Sequence, residues 1–409
     1  MNIWKKIIVT SKNLSASDRK NLYILFFSYF LILFTYPFLR ATTTALYIET
    51  FGAKATPVVW FLSVFALTVI ISIYNKIQKY IGVQNLFSIT SALSALIFIA
   101  ALYLVNSGFS SMAYVLYIWK EIYIVMLVHM ALGYANNFLT IDQAKIFFGP
   151  IGACGSIGGI IGGIVTAKLS DNWGIDVSII VASAVLFVNA LVFHLTRRLK
   201  IEIRDEHKKP SPIGALKGAG KYVMVIAIII ALSQFVINIA NLQFNFLFEE
   251  IVPSVDKKAS YLGTLFSLIN GITLIVQLVV LPIVLSKFSS KVIHLFIPVF
   301  YFGLISLGLG VGAQFLWSVA GTFILLKGFD YSLFSMSKEI LYYPLSPLQK
   351  YGAKYLADML VYRLAKALMS LVLIYYQDLK LLTIAMLGFL VMWFVMVFQL
   401  FKLQKTIEK

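Results

Sequence analysis

Charged residues are scarce in this chain of 409 residues: they make up 12% of it, whereas 60% of the residues are hydrophobic. A soluble domain carries about 25% charged residues, so the composition excludes an ordinary water-soluble fold. Cysteine is scarcer still, because Cys154 stands alone and excludes an internal disulfide. The four histidines are scattered, and no metal-ligand cluster or nucleophile constellation stands out. We therefore expect no enzyme, no metal and no cofactor.

The sequence contains many apolar runs that are long enough to cross a membrane as helices. About 20 apolar residues in a helix cross a bilayer core, and the backbone in lipid must satisfy its own hydrogen bonds, which favours helices. The period-2 alternation of a β-barrel is absent. We predict an all-α polytopic membrane protein whose twelve spans form two pseudo-symmetric six-helix halves. The predicted spans are 22–47, 56–75, 85–105, 113–134, 146–167, 176–196, 222–247, 260–285, 292–312, 314–336, 355–376 and 381–402.

Basic residues alternate along this pattern. If both termini are inside, the inside segments hold 24 of the 34 Lys and Arg and the outside segments hold five, namely Lys54, Lys168, Lys257, Lys258 and Lys380. Cytoplasmic loops are rich in Lys and Arg, so both termini are predicted to be cytoplasmic, in a bacterial inner membrane. The predicted domains are a basic N-terminus (1–21), a six-helix bundle (22–196), a linker (197–221), a second bundle (222–402) and a tail (403–409).

The net charge of +17 has two interpretations. A basic balance can indicate nucleic-acid binding, but positive-inside topology and contact with anionic lipid explain it better. The expected partners are therefore the lipid bilayer and a small solute, with no nucleic acid, and we expect a monomer.

Two helix-start signatures occupy equivalent places in the two halves. Thr140 with Gln143, and Ser346 with Gln349, fit the capping box, in which a hydroxyl and a Gln side chain satisfy backbone N–H groups reciprocally. Pro347 fits the first helical position. The repetition indicates a duplicated unit, and repeated halves are typical of transporters in which one half rocks against the other.

Several ionisable residues lie inside the predicted spans. A charge near the bilayer centre costs at least ~2.5–3.5 kcal/mol, so such residues generally face a bundle interior or a wet cavity. The functional interpretation is an anion-attracting cavity between the halves; the alternative is that the acids hold helices together by neutralising nearby cations. The candidates are the cations Arg40, Lys120, Lys327, Arg363 and Lys366 and the acids Glu121, Asp330 and Asp358, with the acids as charge-pairing or gating residues.

The glycine-rich run from Gly152 to Gly163 also has two interpretations. It fails as a phosphate loop, since no Gly-Lys-Ser/Thr ending is present and no strand precedes it. It fits a packing helix, because its glycines recur every four residues and allow a neighbouring helix to approach closely. The packing positions are Gly155, Gly158, Gly159, Gly162 and Gly163.

Two stretches, Tyr134–Phe148 and Lys338–Lys366, carry recognisable sequence motifs. They resemble the non-mitochondrial ATP/ADP translocases of plastids and intracellular bacteria. Tyr134–Phe148 is similar to the stretch after the family's fourth helix, and the region of its tenth and eleventh helices is matched by Lys338–Ser346, Lys350–Lys354, Asp358-Met359 and Arg363–Lys366. Leu39-Arg40 and Phe51-Gly52-Ala53 are similar too. The resemblance implies a fold of the major facilitator type and exchange of ATP for ADP, or nucleotide uptake, in a short divergent bacterial member.

The chain retains about half of the family's charged transport positions. Glu121 and Lys366 match charged positions, whereas Thr43 and Thr44 stand where the family's first helix has Lys-Asp. Asn241 replaces a Glu of the seventh helix and Asn245 a Lys. Asn241 and neighbouring amides are expected either to bind a base or sugar or to hydrogen-bond between helices.

Three function classes follow. The leading one is a secondary active transporter of an anionic metabolite, most simply a nucleotide, by alternating access. The second is a proton-coupled transporter of a non-nucleotide substrate such as an organic anion, a lipid or a drug. The third is a membrane sensor or assembly protein that does not transport.

Overall fold

The computed structural model describes residues 9–196, 211 and 214–407, and all regular structure within them is helical. The basic N-terminal residues Lys5 and Lys6 and most of the predicted linker lie outside these residues.

From residue 16 to residue 194 the structure describes five long helical segments. They are α1 (Ala16–Phe51), α2 (Thr56–Ile81), α3 (Val83–Asn106), α4 (Met112–Phe138) and α5 (Ile141–His194). The connections before α2 and α3 contain Gly52 and Gly82, at φ values of 81° and 80°. Glycine adopts this left-handed region without the Cβ clash of other residues, so the chain can reverse between helices within a few residues.

Spans five and six, predicted as separate helices, both lie in the segment α5. The backbone of this segment is non-helical at Gly174, with φ 83° and ψ 171°, so α5 consists of two helices that meet at this residue. The break lies in the predicted gap between the two spans, residues 168–175. The connection between them is thus a single glycine, not a loop.

Nine helices fill the carboxyl-terminal part of the described chain. They are α6 (Gly220–Ile251), α7 (Val255–Ile275), α8 (Leu281–Lys287), α9 (Ser290–Ile305), α10 (Leu316–Phe329), α11 (Ser335–Ile340), α12 (Pro347–Lys354), α13 (Tyr362–Tyr375) and α14 (Leu379–Ile407). Four π-helical turns interrupt or end them, at Val276–Val280, Ser306–Val311, Asp330–Phe334 and Tyr355–Val361.

Both predicted capping boxes are confirmed. Gln143 N donates to Thr140 Oγ1 at 3.4 Å and Thr140 N to Gln143 Oε1 at 3.0 Å. Ser346 and Gln349 repeat the same two bonds at the same lengths. Pro347 is the first residue of α12, as predicted.

Within the described residues, nine helical stretches are long and apolar enough to cross a membrane, and one of them, Asp142–His194, is 53 residues long. About 20 residues suffice for one crossing, so this stretch can cross twice. The π turns at Asp330–Phe334 and Tyr355–Val361 divide the helices at the tenth and eleventh predicted spans. The protein is an all-α polytopic membrane protein, and the count of twelve spans stays a prediction.

The chain forms two compact units. The first comprises residues 1–51, 65–204 and 252–271, and the second comprises 52–64, 205–251 and 272–409. The core of the first unit is built from α1, α3, α4 and α5, with Phe98 and Tyr123 packed edge to face at 5.5 Å. In the second unit, Trp393 of α14 is fully buried and packs against Tyr301 and Phe334.

Candidate functional site

Lys120 is the most deeply buried cation among the described residues of the first unit. Its side chain on α4 is 1% exposed, and its Nζ lies 3.2 Å from Glu121 Oε1. Nζ also donates to Thr44 Oγ1 of α1 at 3.3 Å and lies 3.4 Å from the centre of the Tyr117 ring. A carboxylate, a hydroxyl and an aromatic face therefore share this one ammonium.

Thr43 and Thr44 play different parts. Thr43 Oγ1 donates to the carbonyl of Leu39 within its own helix, at 2.6 Å. Thr44 presents its oxygen to Lys120. The position where the resembled family carries a charge is thus occupied here by a hydroxyl that contacts a buried cation, a role that the sequence alone did not suggest.

Arg40 of α1 is held between aromatic rings. Its guanidinium carbon lies 4.1 Å from the centre of Phe266 of α7 and 5.5 Å from that of Tyr36. A desolvated cation–π contact of this kind stabilises the cation by up to about 2 kcal/mol. Arg40 is half-buried, so it does not reach fully into solvent from the helix end.

Lys327 lies in the last turn of α10, and Asp330 directly follows this helix; both belong to the second unit. Both are buried, at 8% and 6% exposure. Lys327 Nζ is 5.2 Å from the centre of the Tyr331 ring. Among the described residues, no ion pair within 4.0 Å includes either of the two. A buried cation and a buried acid thus lie one turn apart without direct charge pairing.

Asp358 lies in the π turn Tyr355–Val361 and pairs with a residue that was not proposed for the site. Its Oδ1 accepts hydrogen bonds from Lys338 of α11 and, at 3.1 Å, from the hydroxyl of Tyr342. Burial, followed by the charge of Asp358, raises the pKa of Tyr342 well above its ordinary value, so the phenol stays protonated as a donor. Arg363 and Lys366, the two other predicted residues of this region, are half-buried three residues apart on α13.

The amides of α6 divide by role. Gln243 donates to the carbonyl of Leu379 and to Thr383 Oγ1, both at 2.9 Å, so it joins α6 to α14. Asn241 is half-buried, whereas Asn238 and Asn245 are buried at 5% and 3% exposure. Of the two interpretations, interhelical hydrogen bonding therefore holds for Gln243, and Asn241 remains a candidate for substrate.

The glycines of α5 lie against two other helices of the first unit. A Cβ on Gly158 would lie 2.6 Å from the carbonyl oxygen of Phe30, and one on Gly162 would overlap the carbonyl oxygen of Phe34. Gly155 faces the Tyr29 ring, also on α1. On the α7 side, a Cβ on Gly159 would lie 2.7 Å from Asn270, and one on Gly163 would lie 2.6 Å from the carbonyl oxygen of Gly263.

A further group of charges was missed by the sequence analysis. Lys258, counted there only as an outside basic residue, is 5% exposed and its Nζ lies 2.6 Å from Glu49 Oε2. Its neighbour Lys257 pairs with Asp171 of α5. Nothing in the local sequence pairs these residues, because the partners are separated by more than 80 positions. The pairs attach the start of α7 to α1 and α5.

The predicted site residues thus fall into separate groups. Arg40, Lys120 and Glu121 belong to the first unit, and Lys327, Asp330, Asp358, Arg363, Lys366 and Asn241 to the second. Within the described residues, no group of three or more His, Cys, Asp or Glu side chains is placed to hold a metal ion.

No protein-family profile matches the chain. ADP,ATP carrier protein 1 of Chlamydia muridarum (strain MoPn / Nigg) is 24% identical to it. The alignment is 436 positions long and covers 87% of this chain and 81% of that protein.

Solved structures of membrane transporters share the fold. A bacterial homologue of the iron transporter ferroportin, in an inward-facing state, matches with a TM-score of 0.69 and 13% identity over 93% of this chain and 98% of that one. The nucleoside transporter NupG matches with a TM-score of 0.64 and 13% identity over 93% and 99%. A D-xylose-proton symporter matches with a TM-score of 0.63 and 11% identity over 87% and 89%.

The all-helical fold is therefore of the major facilitator type, and the proteins to which this chain is similar are named as membrane transporters or carriers. More narrowly, the chain is similar to an ADP,ATP carrier, in agreement with the resemblance found in the sequence.

Proposed function

We propose that this protein is a secondary active transporter of an anionic metabolite, and that an adenine nucleotide is exchanged or taken up by alternating access. The observation that carries the proposal is Lys327, an ammonium 8% exposed that forms no ion pair among the described residues. A buried charge is costly unless it is paired. An anionic substrate supplies the missing pair.

The balance of charge supports the same conclusion. Of the three acids predicted near the five span cations, Asp358 is engaged by Lys338 of α11. Glu121 shares Lys120 with Thr44. Asp358 is thus engaged by a cation outside the predicted five, which leaves one acid fewer to compensate them. A phosphate group suits such a surplus because Lys and Arg bind it with charge-assisted hydrogen bonds.

The substrate class comes from the relative. The Chlamydia protein is named an ADP,ATP carrier, and its similarity spans 87% of this chain. In the proposed mechanism, Arg40, Lys120, Lys327, Arg363 and Lys366 bind the anionic groups of the nucleotide and Asn241 its base or sugar. Glu121, Asp330 and Asp358 exchange partners as the protein changes state.

The test uses purified protein in liposomes loaded with ADP. Entry of labelled ATP that requires internal ADP and is insensitive to an imposed pH gradient is the expected result. Liposomes without protein and liposomes without internal ADP serve as controls. No entry of ATP, ADP or AMP under any loading condition would overturn the nucleotide proposal.

A proton-coupled transporter is the second candidate, and Asp330 favours it. This carboxyl group is 6% exposed and forms no ion pair among the described residues. Intramembrane acids of this kind serve as proton relays in pumps and transporters. Flux of another anion that is driven by an acid-side pH gradient, and is lost in Asp330→Asn, would favour this candidate over nucleotide exchange.

A further inference from the structure

The π turn of α10 begins directly beside the two buried charges. Lys327 lies in the last turn of α10, and Asp330 is the first residue of the π turn Asp330–Phe334. A π turn replaces the i→i+4 hydrogen bonds of an α-helix by i→i+5 bonds, and such turns are frequent at functional sites. The backbone that carries this pair of charges is therefore irregular.

Three side chains from other segments of the second unit donate to carbonyl oxygens of this region. Tyr301 of α9 donates to Leu326 at 3.2 Å. Thr273 of α7 donates to Gly328 at 3.4 Å, and Gln277, in the π turn after α7, donates to Tyr331 at 3.3 Å. The three acceptors fall within six consecutive residues that include both Lys327 and Asp330.

These donors add bonds from other segments to the local ones. The carbonyl of Leu326 also accepts from the backbone amide of Asp330, and that of Gly328 from the hydroxyl of Ser332. In the hydrocarbon region no water competes for these carbonyl oxygens. Tyr301 is fully buried and Thr273 is 6% exposed, so their hydroxyl groups have little access to water as an alternative partner. The bonds thus fix how this turn of α10 is held against α7 and α9.

The side chains of Lys327 and Asp330 have no ion pair to orient them in the described structure. Their direction is therefore set by the backbone to which they are attached. The three bonded carbonyls lie immediately before, between and after these two residues, so the bonds hold the backbone from which both side chains extend.

We propose that Thr273, Gln277 and Tyr301 are positioning residues for transport: by binding the carbonyl oxygens of Gly328, Tyr331 and Leu326, they hold the π turn and so aim Lys327 and Asp330 at the substrate. This inference rests on the proposed function, in which those two residues contact the anion. None of the three residues needs to contact the substrate itself.

The test removes the donors with little change of shape. Thr273→Val, Gln277→Met and Tyr301→Phe are compared with Thr273→Ser, which keeps the hydroxyl. Thr322→Val and Tyr222→Phe are matched controls: Thr322 is equally buried on α10 but bonds within its own helix at Ser318, and Tyr222 bonds to Leu341 elsewhere in the unit.

Two readouts are measured. In proteoliposomes, the donor variants are expected to raise the KM for nucleotide by roughly threefold or more, while the maximal rate changes less. The reason is that misplaced charges weaken substrate binding more than they slow the transport step. Thr273→Ser and both controls keep the wild-type KM. Without substrate, backbone amide hydrogens of residues 329–336 are expected to exchange faster in Thr273→Val and Gln277→Met than in the controls.

The outcomes are separable. Unchanged exchange in the donor variants overturns the inference, and so does faster exchange with an unchanged KM, since the bonds would then be structural only. If the wild type carries no nucleotide, the proposed function fails; the KM is then measured for the anion that the wild type does carry, and an unchanged KM in the donor variants overturns the inference.

Discussion

Lys120 and Glu121 are neighbours in the sequence, and their side chains meet at 3.2 Å although only the lysine is fully buried. Consecutive residues on a helix point about 100° apart, so the two chains bend towards each other from different faces. Thr44 completes the contact from α1. The ammonium is consequently bound on two helices, while the carboxylate keeps 23% of its surface exposed.

Lys120→Gln is expected to lower nucleotide uptake by at least about tenfold, because it removes a cation proposed to contact the anion. Glu121→Gln is expected to lower the thermal unfolding temperature more than Lys120→Gln does. The reason is that Glu121→Gln leaves a fully buried ammonium without its carboxylate, which costs more than losing the pair's cation. Uptake and unfolding are measured on the same preparations.

Lys145→Gln is the control for both variants, since Lys145 is 71% exposed and pairs only with Asp142. It should behave as wild type. Full uptake by Lys120→Gln at normal expression would remove Lys120 from the site.

Lys366→Ala is expected to abolish uptake without affecting membrane insertion. Lys366 lies half-buried on α13 and matches a charged transport position of the resembled family. Insertion is measured by the yield of monodisperse protein, and uptake by labelled ATP. The comparison is Lys380→Ala, which removes an exposed lysine near the start of α14 and should leave uptake intact. Equal uptake in the two variants would contradict the assignment.

Gly158→Ala and Gly162→Ala are expected to destabilise the protein by about 1–3 kcal/mol each, the usual cost of overpacking. The added methyl group would press on the backbone carbonyls of Phe30 and Phe34, which cannot turn away as a side chain can. Thermal unfolding in detergent measures the effect.

Gly152→Ala is the matched control on the same helix. Nothing lies within 4 Å of a Cβ at this position. Alanine is favoured over glycine in a helix by about 1 kcal/mol, so this variant should be as stable as wild type or more so. Equal destabilisation at positions 152 and 162 would show that the close approach of α1 is unimportant.

Asp358→Lys and Lys338→Asp are each expected to reduce uptake and stability, and the double exchange to recover most of both. The single variants place like charges in contact, whereas the double variant restores an ion pair with reversed polarity. Tyr342 also donates to Asp358, so recovery should be incomplete. A double variant no better than the singles would show that the pair contributes through something other than its charges.

The sequence predicted those features whose cause is local. The apolar runs located the helices, and the two capping boxes located the starts of α5 and α12, because hydrophobicity and capping act within one helix. The partner of Asp358 was not predictable, since Lys338 lies on another helix and becomes a neighbour only after folding. The same holds for Gln243, whose acceptors are more than 130 positions away.

The π turns were also beyond sequence reasoning. Nothing in the sequence of Asp330–Phe334 marks it as a π turn. Thr273 and Gln277, which donate to carbonyls just before and within it, come from a different segment. The connection at Gly174, by contrast, lies in the predicted gap 168–175, although the sequence did not show that a single glycine would form it. The π turns are accompanied by contacts with other segments, which composition does not reveal.

The break at Gly174 divides α5 into two half-helices, and other helices are bonded to α5 on both sides of the break. The amide of Ile175, which starts the second half of this helix, donates at 2.8 Å to Asp256 Oδ1 of α7, so the half-helix is capped by a side chain from another element. Lys257 and Lys258 fasten the same turn of α7 to α5 and α1. The first turn of α7 is therefore bonded to both halves of α5 and to α1, so a displacement of this turn would act on all three helical segments.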